Sequence, residues 1–511
     1  GNGSFSQQFA NAYVNAGDGI AATATVVLAG GAYGSTSEFS ANIFATSNGR
    51  VIVVDTLQDN TGGDTSSLAA LIADRGPDGR ISLREAIVAA NNTPNGAQIN
   101  KIAFGLPSHL AAPLVISSLL PSITIGVIID ATTQPGFAEN GNRPLVIIDG
   151  NGLAGSGLTI TGSADGTVIR GFVIRNFNGN GITLENGADN ISIQGNYIGS
   201  LMTLGTGIAG RANTGAGIWI NSANNTIGGS TEAERNVISG NQSWGGIHIT
   251  GASATGNRVM GNYIGTDATG IVAVGNSYQG VLIQDGASGN VIGTDLDGIN
   301  DATEGNLISG NFDNGVQLWG TGVANNLIRG NIIGLNVLQT AVLANHTQGI
   351  QLGAGAHHNT IGGTSPHARN IIAGNTYAGI ELYGAGTSHN VIAGNVIGTN
   401  SSDAAGLGNG TGVGVFGGAT DNTIGGTTVA ARNVISGSVG HGVHLRDAGT
   451  TGNLIQGNLI GVTLAGTAAL ANQASGVLIE NGASSNTVGG SSAARNIVAG
   501  NGSYGVQVTG A

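Results

Sequence analysis

The sequence predicts an all-β fold in which three short strands per coil stack into a parallel solenoid. Three features predict it: a glycine phrase that recurs along most of the chain, asparagine phrases that follow it at a regular offset, and an unusual composition. Glycine accounts for 93 of the 511 residues and charged residues for 9%, whereas usual shares are about 7% and about 25%. Coils of this size bury an apolar core only by stacking on one another.

The glycine phrase is a glycine followed by alternating apolar residues. Alternation over four or five residues is typical of a strand with one buried face. Twelve such starts occur at intervals of 24 to 36 residues: Gly157, Gly181, Gly217, Gly246, Gly280, Gly315, Gly349, Gly379, Gly412, Gly442, Gly476 and Gly505. We therefore expect about twelve regular coils over residues 157–511.

Two asparagine phrases complete each coil. The first reads Asn-x-Ile or Asn-x-Val, and from Asn257 onward its distance from the glycine alternates between 11 and 10 residues. This alternation indicates a two-coil super-repeat. The second phrase reads Asn-apolar-Ile, as at Asn236 and Asn262. We assign Gly and Asn to the turns between strands because both tolerate a left-handed backbone.

Alternate coils carry an extra loop before the third strand. These loops end in an arginine that directly precedes the third-strand asparagine: Arg235, Arg369, Arg432 and Arg495. We expect each arginine to hold its own loop by donating hydrogen bonds to carbonyl oxygens. A row of ligand-binding arginines is the alternative.

Composition excludes several classes of protein. Without cysteine, the chain has neither disulfides nor zinc-cysteine sites. A net charge of -12 with no basic stretch argues against a nucleic-acid partner. The 40% of apolar residues argues against disorder. The sequence contains no transmembrane run, so we predict no membrane insertion.

The N-terminal third differs from the rest. We interpret residues 1–50, rich in Gly, Ala and Ser, as an assembly element or linker, and residues 51–156 as the entry to the solenoid. Residues 82–91 form the one convincing helix. Ser82 and Glu85 have the S-x-x-E spacing of a capping box, which satisfies two free backbone donors. We expect this helix to cover the first coil, whose strand edges would otherwise be exposed.

The segment DGRISLREAIVAAN at 78–91, followed by IAFGLP, IDATTQPGF and GNYIGTDATG, resembles the CSLREA-type secreted bacterial proteins. The resemblance covers roughly residues 51–511 and implies a right-handed parallel β-helix of the pectate-lyase-like kind. It also implies an extracellular or bacterial cell-surface location, but no particular reaction. Ile81 stands at the family's cysteine position, so any role of that cysteine is absent.

The regular register continues to Gly510 without a visible cap. An uncapped solenoid end offers unpaired strand edges to another chain or domain. We therefore expect either end-to-end self-association or docking onto neighbouring domains of a longer chain.

Two acidic loops suit calcium, which prefers carboxylate and carbonyl oxygens. Asp74, Asp78 and Glu85 match three ligand positions of a twelve-residue EF-hand loop, and an Asp-Gly turn before a capped helix is the alternative. The second loop gathers four acids within ten residues, for which a solvated loop is the alternative: Asp295, Asp297, Asp301 and Glu304. The sequence requires no cofactor, and calcium is the ion that we consider for these loops.

The outward side of the first strand is the most informative surface. Its positions are the third and fifth residues of each glycine phrase, and exposed aromatic and amide side chains there suit an extended polysaccharide or a partner protein. A plain solvent-facing surface is the alternative. The candidate ligand-binding residues are Trp219, His248, Gln317, Trp319, Gln351, Glu381, Tyr383, Phe416 and His444.

This face carries few groups able to catalyse. Glycoside hydrolysis uses two carboxylates within about 5–10 Å, whereas Glu381 and Glu480 are three coils apart, roughly 14 Å. The weak catalytic candidates are Glu381, His444, Arg446 and Glu480. We expect Arg446 and Glu480, on adjacent coils, to form an ordinary surface ion pair.

These observations favour a structural or adhesive domain that is secreted or exposed at the cell surface, with a filament subunit as one form of it. The alternative is a β-helix that binds or degrades polysaccharide with its first-strand face, as a lyase or epimerase would. The sequence leans towards a protein that is not an enzyme.

Overall fold

The chain forms a parallel β-helix in a computed structural model that describes residues 50–107 and 113–510. Among residues 1–49 it gives only the backbone of four short strands, so the predicted role of residues 1–50 lies outside the described side chains. Those strands pair antiparallel as Gly19–Ile20 with Ile43–Phe44 and Thr23–Val27 with Tyr33–Glu38.

The first sheet contains the strands that begin with the glycine phrase. Its twelve strands confirm the twelve predicted coils. In order they are Leu158–Ile160, Ile182–Leu184, Ile218–Ile220, Ile247–Thr250, Val281–Gln284, Val316–Trp319, Ile350–Gly353, Ala378–Tyr383, Thr411–Phe416, Val443–Arg446, Val477–Glu480 and Val506–Val508.

The second sheet has fourteen strands, because it also includes strands of the predicted solenoid entry at residues 51–156. They are Val51–Val54, Asn100–Phe104, Val127–Asp130, Val168–Arg170, Ser192–Gln194, Thr226–Gly228, Arg258–Met260, Val291–Gly293, Leu327–Arg329, Thr360–Gly362, Val391–Ala393, Thr423–Gly425, Leu454–Gln456 and Thr487–Val488.

The third sheet has thirteen strands. They are Pro113–Leu114, Val146–Asp149, Phe172–Arg175, Tyr197–Gly199, Val237–Ser239, Tyr263–Ile264, Leu307–Ile308, Ile332–Ile333, Ile371–Ile372, Val396–Ile397, Val434–Ile435, Leu459–Ile460 and Ile497–Val498. Each complete coil thus contributes one strand to each sheet, and the fold is the right-handed parallel β-helix that the sequence predicts.

Within these three sheets, every strand pairs in parallel with the equivalent strand of the next coil, in a register that stacks similar residues on one another. Ile328, for example, lies between Ile292 and Ile361. The inward residues of all three sheets form one continuous apolar core in which most side chains are completely buried. This stacking explains why the apolar alternation is so regular along the sequence.

Three ladders of buried asparagines run along the solenoid. In each ladder, the side-chain amide of one coil donates to the side-chain oxygen of the next at about 3 Å. The second-strand ladder precedes the second strands, from Asn225 to Asn486. The third-strand ladder runs from Asn196 to Asn496. The turn ladder follows the third strands, from Asn213 to Asn501.

The expectation that these asparagines supply left-handed turn residues is wrong. Positive φ falls on the residue just before the second-strand ladder, such as Asn325 at 58° and Asp421 at 55°. Asn326 itself is buried and uses its side chain to bond with Asn290 and Asn359. The asparagines are retained for hydrogen bonding, because buried backbone groups at the corners need partners.

Two helices lie at the start of the described solenoid. Leu83–Asn91 has the predicted capping box: Ser82 accepts from the Glu85 backbone N–H, and the Ser82 N–H donates to the Glu85 carboxylate at 2.9 Å. Its apolar side packs against Val51–Val54 and Asn100–Phe104, as predicted for a covering helix. The preceding helix Leu68–Ala73, which is short and capped by Ser67, was not predicted from the sequence.

The extra loops of alternate coils contain short 3₁₀ turns, as at Pro366–Ala368 and Val429–Ala431. The hydrogen bonds of Arg369 and Arg432 do not go to their own loops as predicted. Arg369 Nε donates to the carbonyl oxygen of Gly394 at 3.1 Å, and Arg432 Nε donates to that of Gly457 at 2.8 Å. Because both acceptors belong to the next coil, these arginines link coils rather than brace loops. In the described part of the chain, no helix is long and apolar enough to cross a membrane.

Replacing Asn326 by Asp tests the ladders. The substitution preserves shape but removes the donor that reaches Ala287 O and Asn359 Oδ1, and it buries a carboxylate. We expect the free energy of unfolding to fall by about 3 kcal/mol, measured by urea denaturation. Asn325→Asp is the matched control: Asn325 is exposed, and Asp421 already occupies the equivalent left-handed position. Equal stability of the two variants would contradict a role for the ladders.

Candidate functional site

The outward residues of the first sheet are less uniform than the sequence suggested. Trp219, Gln317, Trp319, Gln351, Glu381 and His444 are partly exposed, and Tyr383 is exposed. Two expectations are wrong: Phe416 and His248 are buried, with 7% and 3% of their surface exposed. Phe416 is covered by the Arg446 guanidinium, which lies 4.4 Å from the ring centre, and His248 is covered by Trp244.

A hydrogen-bonded amide ladder follows the middle of this face. Gln317 donates to Gln351 at 2.6 Å, and Gln351 donates to Glu381 at 2.7 Å. Residues of the turns just before the first-sheet strands strengthen it. Gln279 bonds to Gln317, Asn314 to Gln351, and Gln348 to Glu381, at 2.8, 3.2 and 3.1 Å. The amide ladder (Gln317, Gln351 and Glu381) therefore has a second polar row beside it over three coils.

Both rows stop at the next coil. In register with Glu381 is Gly414, and the turn residue that follows Gln348 in the pattern is Ala378. The turn between Asn409 and Gly412 is also one residue shorter than usual. An open cleft of about 460 Å³ lies beside these positions, and we call it the Gly414 cleft, although the Phe416 ring fills the space directly over Gly414. Its lining includes Gln348, Tyr377, Glu381, Phe416, His444 and Arg446.

The far wall of the Gly414 cleft consists of charged and aromatic groups. His444 is next in register after Gly414, and its Nε2 lies 3.0 Å from Glu480 Oε1. The predicted Arg446–Glu480 ion pair is wrong. Although the two residues are in register, the guanidinium of Arg446 lies on the Phe416 ring, and its acidic neighbour is Asp447 at 3.7 Å.

The protonation of the far wall is set mainly by burial. Burial lowers the pKa of His444, and the hydrogen bond that the imidazole donates to Glu480 opposes this only in part. His441, whose ring lies 5.1 Å from that of His444, also has a lowered pKa because of burial. The wall therefore presents neutral imidazoles near neutral pH, which both donate and accept hydrogen bonds.

A row of exposed rings, which was not predicted from the sequence, lies beside this face. In five consecutive coils, the turn between the turn ladder and the glycine phrase carries an aromatic ring, and each ring is exposed. We call this the turn row: Trp244, Tyr278, Phe312, His346 and Tyr377. The sequence does contain a signal for the turn row, because each of its five residues lies within three positions of a turn-ladder asparagine. Phe312 and His346 contact each other at 4.8 Å between ring centres.

His248 stands out among the buried polar side chains. Trp244 stacks on it, with ring centres 5.1 Å apart and an interplanar angle of 15°. Neither imidazole nitrogen has a hydrogen-bond partner. Burial lowers the pKa of His248 to about 4, and the charge of Asp285 opposes this only weakly.

The acidic loop at 295–304 does bring its carboxylates together. One ligand atom from each of Asp295, Asp297, Asp301 and Glu304 lies within 4.8 Å of the others. Burial, together with the charges of Asp295 and Asp301, raises the pKa of Glu304. Arg258 offsets part of the charge through a contact of 3.2 Å with Asp295. Such crowded oxygens fit a hard divalent cation.

The carboxylates of the other acidic loop, at residues 74–85, do not come together. Glu85 is buried, and its two oxygens accept from the Gly63 N–H and from Ser82. Asp78 is bonded to Asn60, and Asp74 ends the first helix. The four-acid group at 295–304 is the only cluster of potential metal ligands among the described residues. The geometry at 74–85 therefore favours a turn followed by a capped helix.

The molecule is thus a parallel β-helix with a polar and aromatic face, and solved structures of similar fold exist. The Azotobacter vinelandii mannuronan C-5 epimerase AlgE6 A-module has a TM-score of 0.49 and 14% identity, covering 88% of this chain and 99% of that one. The AlgE4 A-module of the same organism gives 0.41 and 15%, covering 89% and 97%.

The catalytic domain of a GH87 α-1,3-glucanase gives 0.39 and 13%, covering 88% and 69%. All three neighbours act on polysaccharides by their descriptions, but at this level of similarity they assign no activity to this chain. No protein-family model and no curated protein matches the sequence.

Calcium should stabilise the protein through the loop at 295–304. A cation relieves the repulsion that raises the pKa of Glu304, so we expect the melting temperature to rise with millimolar calcium. The control combines Asp297→Asn and Asp301→Asn, which retain the backbone hydrogen bonds but remove two charges. This variant should be more stable than the natural chain in chelator and unresponsive to calcium. An equal shift in both proteins would contradict the site.

Acid should destabilise the protein through His248. The folded-state pKa of about 4 lies below the unfolded value of 6.5, so the unfolded chain binds more protons between these values. The stability linked to the neutral ring is present above pH 6.5 and is lost as the pH falls towards 4, by about 3 kcal/mol in all. His248→Leu, matching Leu282 in the next coil, should flatten this loss in denaturant titrations. His367→Gln, at an exposed position, should leave it unchanged.

Proposed function

We propose that the chain binds an extended polysaccharide along the outward face of the first sheet, with the Gly414 cleft as its principal binding position. This proposal takes up the alternative function that the sequence analysis left open. The observation that carries it is an open cleft at the point where the polar side chains end, at Ala378, Gly414 and the short turn after Asn409. In the three preceding coils a hydrogen-bonded polar ladder covers the middle of the face.

The lining of the cleft suits a sugar ring. Tyr377, which is exposed, provides a ring surface for the apolar face of a pyranose. Glu381 and His444 stand on opposite sides of Gly414, two coils apart, roughly 10 Å. A carboxylate accepts hydrogen bonds from hydroxyl groups, and an imidazole both donates and accepts them. These are the aromatic and polar partners that a carbohydrate requires.

The face also has the extent that a polymer requires. The turn row leads away from Tyr377 over four further coils, about 19 Å. The amide ladder accompanies it over part of this length with side-chain groups that both donate and accept. An exposed strip of rings beside a strip of amides matches the alternating apolar faces and hydroxyl edges of a glycan chain.

The cleft favours binding over hydrolysis. Among the residues that line it, Glu381 is the only carboxylate, and hydrolysis by the common route uses two. Its oxygens already accept hydrogen bonds from Gln348 and Gln351. Glu480 lies beyond His444 and is bonded to it.

Two substitutions in the Gly414 cleft test the proposal. We expect Tyr377→Ala to weaken glycan binding about tenfold, because a stacking surface is lost. Gly414→Gln should weaken it similarly by filling the cleft, and the Phe416 ring must shift to admit the new side chain. Binding is measured by calorimetry with maltohexaose, cellohexaose and hexagalacturonate, and by affinity electrophoresis in polysaccharide gels.

Tyr504→Ala is the matched control. Tyr504 is an equally exposed tyrosine in the same kind of turn, four coils away, and its removal should leave binding unchanged. Failure of every glycan to bind, or equal effects of Tyr377→Ala and Tyr504→Ala, would contradict the proposal. Release of unsaturated or reducing sugar ends during the assay would show that the face is catalytic and would overturn the assignment of binding alone.

A further inference from the structure

The turn that carries Trp244 differs from the other turns at this edge. In eight of the ten turns from Asn213 to Gly505, the glycine of the glycine phrase is the fourth residue after the turn-ladder residue. After Asn409, at the Gly414 cleft, it is the third. After Asn241 it is the fifth, because Gly245 is inserted before Gly246. Two turns before the first-sheet strands are therefore irregular. The short turn after Asn409 lies at the Gly414 cleft, whereas the long turn after Asn241 lies elsewhere.

The inserted residue places Trp244 over His248. Trp244 has a φ of 63°, a left-handed conformation that is unfavourable for a large side chain, and the other four residues of the turn row do not share it. One face of the indole covers the imidazole, while about half of the Trp244 surface remains exposed. Packing alone does not require this arrangement, because Leu282 fills the equivalent outward position in the next coil.

His248 also lacks any structural use for its polar atoms. Buried polar groups normally have hydrogen-bond partners, yet both of its ring nitrogens have none. In the described residues, the other buried side-chain atoms without partners are single atoms, Arg170 Nε and Ser438 Oγ. The neutral imidazole of His248 therefore has one hydrogen-bond donor and one acceptor that are both unused, and the Trp244 ring lies over it.

We propose that Trp244 and His248 form a second saccharide-binding position, which opens when the indole turns away from the imidazole. Trp244 then stacks on the apolar face of a pyranose, and the two nitrogens of His248 bond to its hydroxyl groups. This inference rests on the proposed function of the face. It adds a site about five coils, or roughly 24 Å, from Gly414, at the opposite end of the turn row.

The residues around His248 favour a neutral sugar over a negatively charged one. Asp285 is the charged group that interacts with His248, and its carboxylate also accepts a hydrogen bond from Thr250 at 2.9 Å. A uronate would be repelled by Asp285 without gaining a cationic partner at this position. Trp219 and Leu282, the neighbours of His248 in register, provide apolar flanks that suit the same ligand.

Tryptophan fluorescence tests this position directly. The chain has three tryptophans, so Trp219→Phe with Trp319→Phe leaves Trp244 as the sole emitter. We expect maltohexaose or cellohexaose to shift its emission, and hexagalacturonate to have no effect. NMR of the His248 imidazole should show both nitrogens gaining hydrogen bonds in the complex. Trp244→Ala and His248→Leu should each weaken binding about tenfold, and Tyr504→Ala should not.

The outcomes separate this inference from the proposed function. If Tyr377→Ala weakens binding while Trp244 emission and the His248→Leu affinity remain unchanged, the Gly414 cleft stands and the second position is overturned. If hexagalacturonate shifts Trp244 emission as strongly as the neutral glycans, the predicted selectivity for neutral sugars is overturned. If no glycan binds, the proposed function fails and this inference fails with it.

Discussion

The structure depends on the hydrogen bond that one buried asparagine amide donates to the next along the solenoid. A β-helix must turn three times per coil, and each corner leaves backbone groups that cannot join a sheet. The ladder asparagines satisfy them: Asn326 bonds to the Ala287 carbonyl while accepting from the Asn290 backbone. Because every link fixes the position of the next coil, the ladders hold the strands in register and keep the apolar residues stacked.

This constraint determines where the chain can vary. Strand interiors and ladder positions are nearly invariant from coil to coil, whereas the segments between a ladder residue and the next strand change in length and composition. The turns at Trp244 and after Asn409 are two such segments, and the acidic loop at 295–304 varies similarly between a second-sheet strand and the ladder residue Asn306. The turn ladder even changes residue beside the short turn, where Ser438 replaces asparagine. Functional candidates therefore gather at corners, on a scaffold that tolerates them.

Much of the candidate site could be anticipated, but its accessibility could not. The outward positions of the first strand follow from a period of two, so Gln351 and Glu381 were correctly placed. The exposed fraction of each side chain depends on which neighbouring side chains cover it. Phe416 is covered by Arg446, and His248 by Trp244, through contacts between residues of different phrases. The Gly414 cleft lies where the polar side chains of the preceding coils have no counterpart, a change that is visible only when adjacent coils are superposed.

The sequence by itself determined the solenoid, the number of regular coils, the three strands per coil and the capped helix, because each follows from local periodicity and turn chemistry. Tertiary structure decided which polar groups face each other. It placed the ladder asparagines inside, paired His444 rather than Arg446 with Glu480, and brought four acids of one loop within 4.8 Å. The reason is physical: spacing fixes backbone position, whereas side-chain partners are chosen by competition among groups from several coils.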